Sequence, residues 1–352
     1  SCGSVRISVP SGSEAHDDRY IDLGERTDTM TATIAPPSLS GQPPKQRPSV
    51  IETEGRHGEA HRHTDALRGL LRAARPHQWI KNATVLMIPG LGFYTLGVAG
   101  LVDALVACSA FCLASSSVYL LNDTLDREAD RHHPVKRHRP IASGVVSPTL
   151  ATVASGAAAL TALALGFLVS PMLVAIIAAY LLLTASYSLG LKRLAWVDVA
   201  VLAAGFVLRV VAGAVAVGAA VPLLLLTAVF AGAAFVALGK RRSELVLLGD
   251  DASSHRSALG TYRLRTIDAG LAATQAVAVV TFGLWVLALE FGPAGAGLAL
   301  LGAAGFWEVL NAYRRRLMGG GGGDPTRELL ANHTLLPGLL VVGLVAFSAG
   351  II

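Results

Sequence analysis

The chain has 352 residues, 53% of them hydrophobic and only 15% charged, with a mean hydropathy of +0.54. This balance excludes an ordinary soluble domain and marks an integral membrane protein. The net charge of +5 does not call for nucleic acid: the basic residues stand at the ends of apolar stretches, where anionic lipid and membrane topology account for them.

Residues 1 to about 68 are rich in Ser, Pro, Gly, His and charge without sustained apolar periodicity, and are expected to form a disordered cytosolic tail. No charged region followed by an apolar core marks a cleaved signal peptide. The domain division is therefore 1–68 for the tail and 69–352 for a transmembrane domain. LRGLLRAARPHQWIKN, from residue 67, has apolar residues at helical spacing, with Arg68, Arg72, Arg75 and Lys81 along it. It predicts an amphipathic helix at the membrane interface, with Trp79 at headgroup depth.

Apolar segments follow at about 83–98, 101–121, 149–168, 171–189, 195–216, 221–238, 267–289, 294–312 and 334–352. Most approach the ~20 residues a spanning helix needs, so the expected fold is all-α with about nine transmembrane helices. The first segment is short and interrupted by Pro89 and Gly90. Placing the tail in the cytosol puts 28 of the 29 Lys and Arg residues in the tail, in the stretch through Lys81, or in the connections of the same side. That asymmetry orients the protein. Cys108 and Cys112, four apart in an apolar stretch, read as small packing residues.

Between the second and third segments runs NDTLDREADRHHPVKRHRPIASG, residues 122–144, with four acids and five Lys or Arg. If the helix continues through it, Asn122, Asp126 and Asp130 share one face, with Asp123 beside them. Hard oxygen donors from a few side chains, completed by water and phosphate oxygens, suit Mg2+. Asn122, Asp123, Asp126 and Asp130 are the candidate metal ligands. Lys136, Arg137 and Arg139 follow as candidates for phosphate oxygens that the metal leaves uncovered. His132, His133 and His138 read as solvated loop residues.

Tyr187, Lys192, Arg193 and Asp198 cluster around the fourth and fifth segments; interfacial anchoring and substrate contact both explain them. Arg209 is the one cation inside a segment. A guanidinium there costs about 2.5–3.5 kcal/mol on insertion scales and should face a polar cavity and meet an anion. The structural alternative is an ion pair with Asp268 or Glu308. After the sixth segment comes GKRRSEL, 239–245, in a connection four segments after the acidic one. This suggests two four-helix halves with pseudo-equivalent loops. Lys240 and Glu244 lie at i and i+4, either addressing one ligand or pairing with each other. Gly319–Gly323 has no GK[ST] after it and reads as a linker.

With its spans and NDxxDxxxD at the end of the second, the chain resembles the UbiA-type intramembrane prenyltransferase superfamily over about residues 69–352. RPHQWIKN (75–82), residues 116–144, YSLGLKR (187–193), LRVVAGAVA (208–216) and GKRRSEL resemble the branch that moves phosphoribose to decaprenyl phosphate. The resemblance implies a helical bundle around a central cavity opening to the cytosol, in the plasma membrane with the active site cytoplasmic. It also implies Mg2+ as cofactor, phosphoribosyl pyrophosphate and a polyprenyl phosphate as substrates, and a homo-oligomer. The product would be a cell-wall arabinan precursor.

The resemblance also assigns roles. Asp123, Asp126 and Asp130, with Asn122, would hold Mg2+ on the pyrophosphate. Lys81, Lys136, Arg137, Arg139, Tyr187, Lys192, Arg209, Lys240, Arg241 and Glu244 would line the substrate site. Ordinary members carry a second Asp-rich motif where this chain has GKRRSEL, and Asp250 and Asp251 lack its spacing. A basic second cluster suits a further phosphate held without metal. The rival readings are a prenyl diphosphate donor with an aromatic or other acceptor, and a transporter; the latter fits poorly with charges gathered on one side.

Overall fold

The computed structural model describes residues 54–92, 96–249, 257–289 and 295–319. Side chains are described from residue 64 onward. Among these residues the secondary structure is entirely helical. In chain order it comprises α1 (Glu54–Ala74), a 3-10 stretch (Pro76–Leu86), α2 (Met87–Leu91), α3 (Val98–Leu125), α4 (Arg127–His132), α5 (Pro148–Val169), α6 (Pro171–Leu189), α7 (Val197–Ala216), α8 (Leu223–Leu248), α9 (Leu264–Leu287) and α10 (Gly295–Met318). Seven of them, α3 and α5 to α10, are long and apolar enough to cross a membrane.

Two of the nine expected spans are not among these seven. The segment at 334–352 lies outside the described residues. The segment at 83–98 is not one helix: the 3-10 stretch runs into five-residue α2. Pro89 and Gly90 sit inside α2, and Pro cannot prolong a longer α-helix through that point without losing a backbone bond. α1 begins at Glu54 and runs through residue 68 to Ala74.

Local chemistry fixes several helix ends. α5 and α6 each open with Ser-Pro; Ser147 Oγ accepts from Leu150 N at 3.2 Å, and Ser170 Oγ from Leu173 N at 3.1 Å. Each hydroxyl satisfies a backbone donor, and the proline that follows has none to satisfy. The turn between them is tight, and a Cβ on Gly166 would lie 2.7 Å from Ile177 Cδ1. Small residues at such contacts let membrane helices approach closely.

Two large apolar clusters hold the helices around the site. Val85, Ala107, Phe111, Leu173, Ile177 and Ala212 join the 3-10 stretch to α3, α6 and α7. Phe235, Leu238, Ile267, Leu271 and Tyr313 join α8, α9 and α10. Large side chains such as Phe167, Leu182 and Leu223 remain about 70% exposed or more, which fits a lipid-facing surface. The alternation of the helices brings the connections after α3, α6 and α8 to one side of the bundle, and these carry the charged residues.

Candidate active site

Three consecutive serines in the second half of α3 organise the approach to this charged side. Successive helical residues point about 100° apart, so Ser115, Ser116 and Ser117 reach three different neighbours. Ser115 Oγ lies 3.2 Å from Asn82 Oδ1. Ser116 Oγ donates to Ala74 O at 3.0 Å and accepts from Trp79 Nε1 at 3.0 Å. Ser117 Oγ meets Ser155 Oγ at 3.2 Å. Together they tie the 3-10 stretch, the end of α1 and α5 to α3.

α1 stops at Ala74 because Arg75 takes a left-handed conformation, with φ 55° and ψ 59°, before Pro76. For a residue with a Cβ this costs roughly 1–2 kcal/mol. The turn aims the Arg75 guanidinium at the end of α3. Its Nη2 donates to both oxygens of Asp123, at 2.7 and 3.0 Å, and the group lies 5.1 Å above the Tyr119 ring.

The helix also breaks at Asp126 (φ −86°, ψ 2°) before α4 resumes. The acids therefore divide differently from the expected face of Asn122, Asp126 and Asp130. Asp123 and Asp130, seven residues and nearly two turns apart, are both buried and converge on one nitrogen. Arg139 Nη1 donates to Asp123 Oδ1 at 3.0 Å and to Asp130 Oδ2 at 2.7 Å. Asn122 and Asp126 form the second pair, with Asn122 Nδ2 donating to Asp126 Oδ2 at 3.1 Å. Lys192 Nζ, from the turn after α6, donates to both Asp126 oxygens at 2.9 and 3.0 Å. The arginine that folds back from beyond α4 gathers the i, i+7 pair, which an i, i+4 face leaves apart.

Beside Asp123 a cavity of about 330 Å3 is lined by Arg72, Arg75, His77, Asp123, His138 and Arg139, among others. Three guanidinium groups against one carboxylate make it a place for an anion. Its wall is built by α1 packing on the loop after Arg139: a Cβ on Gly69 would lie 2.8 Å from Val146 Cγ2.

The other expected residues are distributed unevenly. Lys136 and Arg137 are exposed, and Arg137 Nε donates to its neighbour His138 Nε2 at 3.3 Å; neither is shown joining the buried acids. Lys81 is half-buried on the 3-10 stretch, and Tyr187 is half-buried in the last turn of α6. Lys240 is exposed.

Arg241, expected on a phosphate, lies inside the bundle. It is 1% exposed, its Nε donates to Asp198 Oδ2 at 2.6 Å, and its Nη1 donates to Glu244 Oε2 at 2.7 Å. Tyr262 Oη donates to Asp198 Oδ1 at 2.6 Å and accepts from Trp196 N at 2.7 Å. Burial, reinforced by the bond to Asp198, pushes the Tyr262 phenol above its usual range, so it stays a donor. Arg241 is thus an internal counter-ion.

Arg209 does not form the ion pair that was the structural alternative. It meets neither Asp268 nor Glu308, which pair with Arg242 and Arg315. It is 6% exposed and donates to Asn82 Oδ1 at 2.7 Å, Gly205 O at 2.8 Å and Tyr180 Oη at 2.9 Å, stacked on Tyr180 and Phe206. Neutral acceptors hold it, and its partner Asn82 fixes the 3-10 stretch that carries Lys81.

Arg75, Asn82 and Tyr262 had not been assigned to any site from sequence. RPHQWIKN contained the first two, but only their long-range partners reveal what they do.

The donor chemistry fits a divalent cation. Two carboxylate oxygens from Asp123 and Asp130 already share one positively charged nitrogen, and Asp126 offers a bidentate grip, all hard oxygens. Among the described residues, no three His, Cys, Asp or Glu side chains converge into a complete ligand set. Water and substrate oxygens would therefore complete the coordination, as Mg2+ favours.

Residues 84–318 match the UbiA prenyltransferase family. The chain is 37% identical over 228 residues to the decaprenyl-phosphate phosphoribosyltransferase of Mycolicibacterium smegmatis, covering 63% of this chain and 71% of that one. It is 33% identical over 271 residues to the enzyme of the same name from Mycobacterium tuberculosis, covering 76% and 89%. A UbiA homologue from Archaeoglobus fulgidus bound to GPP and Mg2+ superposes with a TM-score of 0.62 at 19% identity, covering 81% of this chain and all of that one.

Proposed function

Since the chain belongs to the UbiA prenyltransferase family, we propose that it transfers 5-phosphoribose from phosphoribosyl pyrophosphate to a polyprenyl phosphate, releasing pyrophosphate. Carrying the reading is the 33–37% identity to relatives named decaprenyl-phosphate phosphoribosyltransferase. The cavity supports it by setting Arg72, Arg75 and Arg139 beside Asp123, as a phosphorylated sugar requires.

Asp123, Asp130 and Asp126, with Asn122, would hold Mg2+ in this reading, and the bound ion would supply neutralisation of charge on the departing pyrophosphate. Arg75 and Arg139 take phosphate oxygens and orient the anomeric carbon. The acceptor phosphate is already an anion and needs no general base. Its oxygen forms a bond to C1 as the C1–O bond to pyrophosphate breaks, from the opposite face, giving an inverted β-linked product. Lys81, Tyr187, Lys192 and Lys240 are placed around the substrates. Lys136 and Arg137 contribute attraction from the rim, while Arg209, Arg241 and Glu244 act through the packing of the site. In this reading the active site faces the cytoplasm of a plasma-membrane homo-oligomer, and the product is a cell-wall arabinan precursor.

The test is incubation of detergent-solubilised protein with Mg2+, labelled phosphoribosyl pyrophosphate and a polyprenyl phosphate. Label moving into the lipid phase, and ceasing to move under exhaustive chelation, is the expected result. Label staying aqueous while a prenyl diphosphate is consumed by an aromatic acceptor would overturn it in favour of prenyl transfer.

A further inference from the structure

We propose that Arg75 and Arg139 are exchangeable counter-ions. In the free protein they hold the carboxylates of Asp123 and Asp130. When substrate arrives they move to its phosphates while a divalent cation takes their place, so metal and diphosphate bind strongly only together. The inference rests on reading this cavity as the site of a metal-bound diphosphate.

The carboxylates and their cations sit at different depths. The Asp123 and Asp130 side chains are 3% and 4% exposed, whereas those of Arg75 and Arg139 are 26% and 27% exposed. The acids are fixed in the protein, and the cations reach them from the cavity with long side chains that can turn outward. The Arg241–Asp198 pair is the opposite case: at 2% and 0% exposed, neither member has anywhere to go. Two buried carboxylates drawn to one Arg139 nitrogen repel each other once that nitrogen leaves, and a buried charge without a partner is costly. Withdrawal of the arginines therefore needs a replacement cation at the acids, and a bare metal must displace guanidinium groups that then lack partners. An anion in the cavity removes the second cost, because both arginines already line it. The two ligands then help each other by the same factor, as linkage requires.

The experiment measures retention of Mn2+ and of labelled inorganic pyrophosphate by the full chain in detergent, using ultrafiltration. In the wild type each alone is held weakly, and together they bind about tenfold tighter or more. In the double variant Arg75→Gln, Arg139→Gln, Mn2+ alone binds about tenfold tighter than to the wild type, because the acids are free, and pyrophosphate adds little. Arg75→Lys with Arg139→Lys keeps the positive charges and keeps the weak binding of Mn2+ alone. Wild-type protein binding either ligand alone as well as in the presence of the other overturns the proposal, and this comparison needs no variant to fold. A folded Gln variant with unchanged Mn2+ affinity also overturns it. Neither ribosyl donor nor lipid enters, so failure of label transfer to lipid with success here would remove the phosphoribosyl reading alone. The reverse pattern would remove the exchange alone.

Discussion

Arg209 Nε donates to Asn82 Oδ1 at 2.7 Å, so the cation in the middle of α7 is held by an amide rather than a carboxylate. The same Asn82 oxygen lies near Ser115 Oγ, and Asn82 Nδ2 donates to Cys112 Sγ at 3.3 Å. One fully buried side chain thereby joins α3, α7 and the 3-10 stretch at the bundle interior. Asn82→Leu should cost about 1.5–3 kcal/mol, the value of a lost bond to a charged group. Thermal unfolding in detergent checks it, with Asn82→Asp keeping most of the stability because it still accepts from Arg209.

Gly213 of α7 faces the same stretch from the other side. A Cβ there would lie 1.7 Å from the Val85 carbonyl oxygen, closer than any packing adjustment of side chains can relieve. Gly213→Ala should push the 3-10 stretch off α7 and shift Lys81 and Arg75. A misplacement of about 1 Å can lower turnover by about 100-fold, and the label-transfer assay measures it against the wild type.

Asp126 is only partly buried and pairs with the similarly accessible Lys192. Its contribution to folding should stay within about 1 kcal/mol. Asp126→Ala should nevertheless lower turnover by about 100- to 1000-fold, the scale for losing a charge-stabilising group. Exposed Lys136 and Arg137, changed to Ala, should leave turnover within about tenfold of wild type. Parallel assays and melting curves of the three variants check the contrast.

Breaking the Arg241–Asp198 pair should behave in the opposite way. Arg241→Met strands a buried carboxylate and should cost about 3–5 kcal/mol. Adding Asp198→Leu should recover much of that loss, as measured by a double-mutant cycle on thermal stability. A phosphate-binding Arg241 would instead lose substrate affinity with its stability intact.

The Tyr262 phenol adds a pH dependence. Its folded value is raised above the unfolded tyrosine value of about 10. Its contribution to stability is therefore complete below about pH 10 and is lost as pH rises from there toward the folded value. Alkaline unfolding should show this loss in the wild type and lack it in Tyr262→Phe, which begins from a lower stability at neutral pH.

Much of the fold was legible because a bilayer constrains sequence strongly. Seven expected segments overlap long apolar helices, since only runs of apolar residues with internally bonded backbones can cross hydrocarbon. The stretch over residues 76–86 was not legible as a 3-10 segment, because its hydropathy resembles that of an α-helix while its geometry depends on Asn82 and Gly213. The acidic cluster was located, with Asp123, Asp126, Asp130 and Arg139 all in it. Its division into two pairs was hidden, because the Asp126 break and the return of Arg139 are not periodic features. Lys192 and Asp126 are 66 residues apart, beyond the reach of any local pattern.

Composition and order alone determined that this chain lives in a membrane, where α5 and α6 begin at their Ser-Pro pairs, and that carboxylates and cations crowd one connection. Those features follow from hydrophobic burial and local hydrogen bonding, which act over a few residues. Only the packed bundle decided which cation meets which acid. Arg139 and Arg241 are both arginines in basic runs, yet one opens to a cavity and the other is sealed. The difference lies in solvent access, set by the helices folded around them.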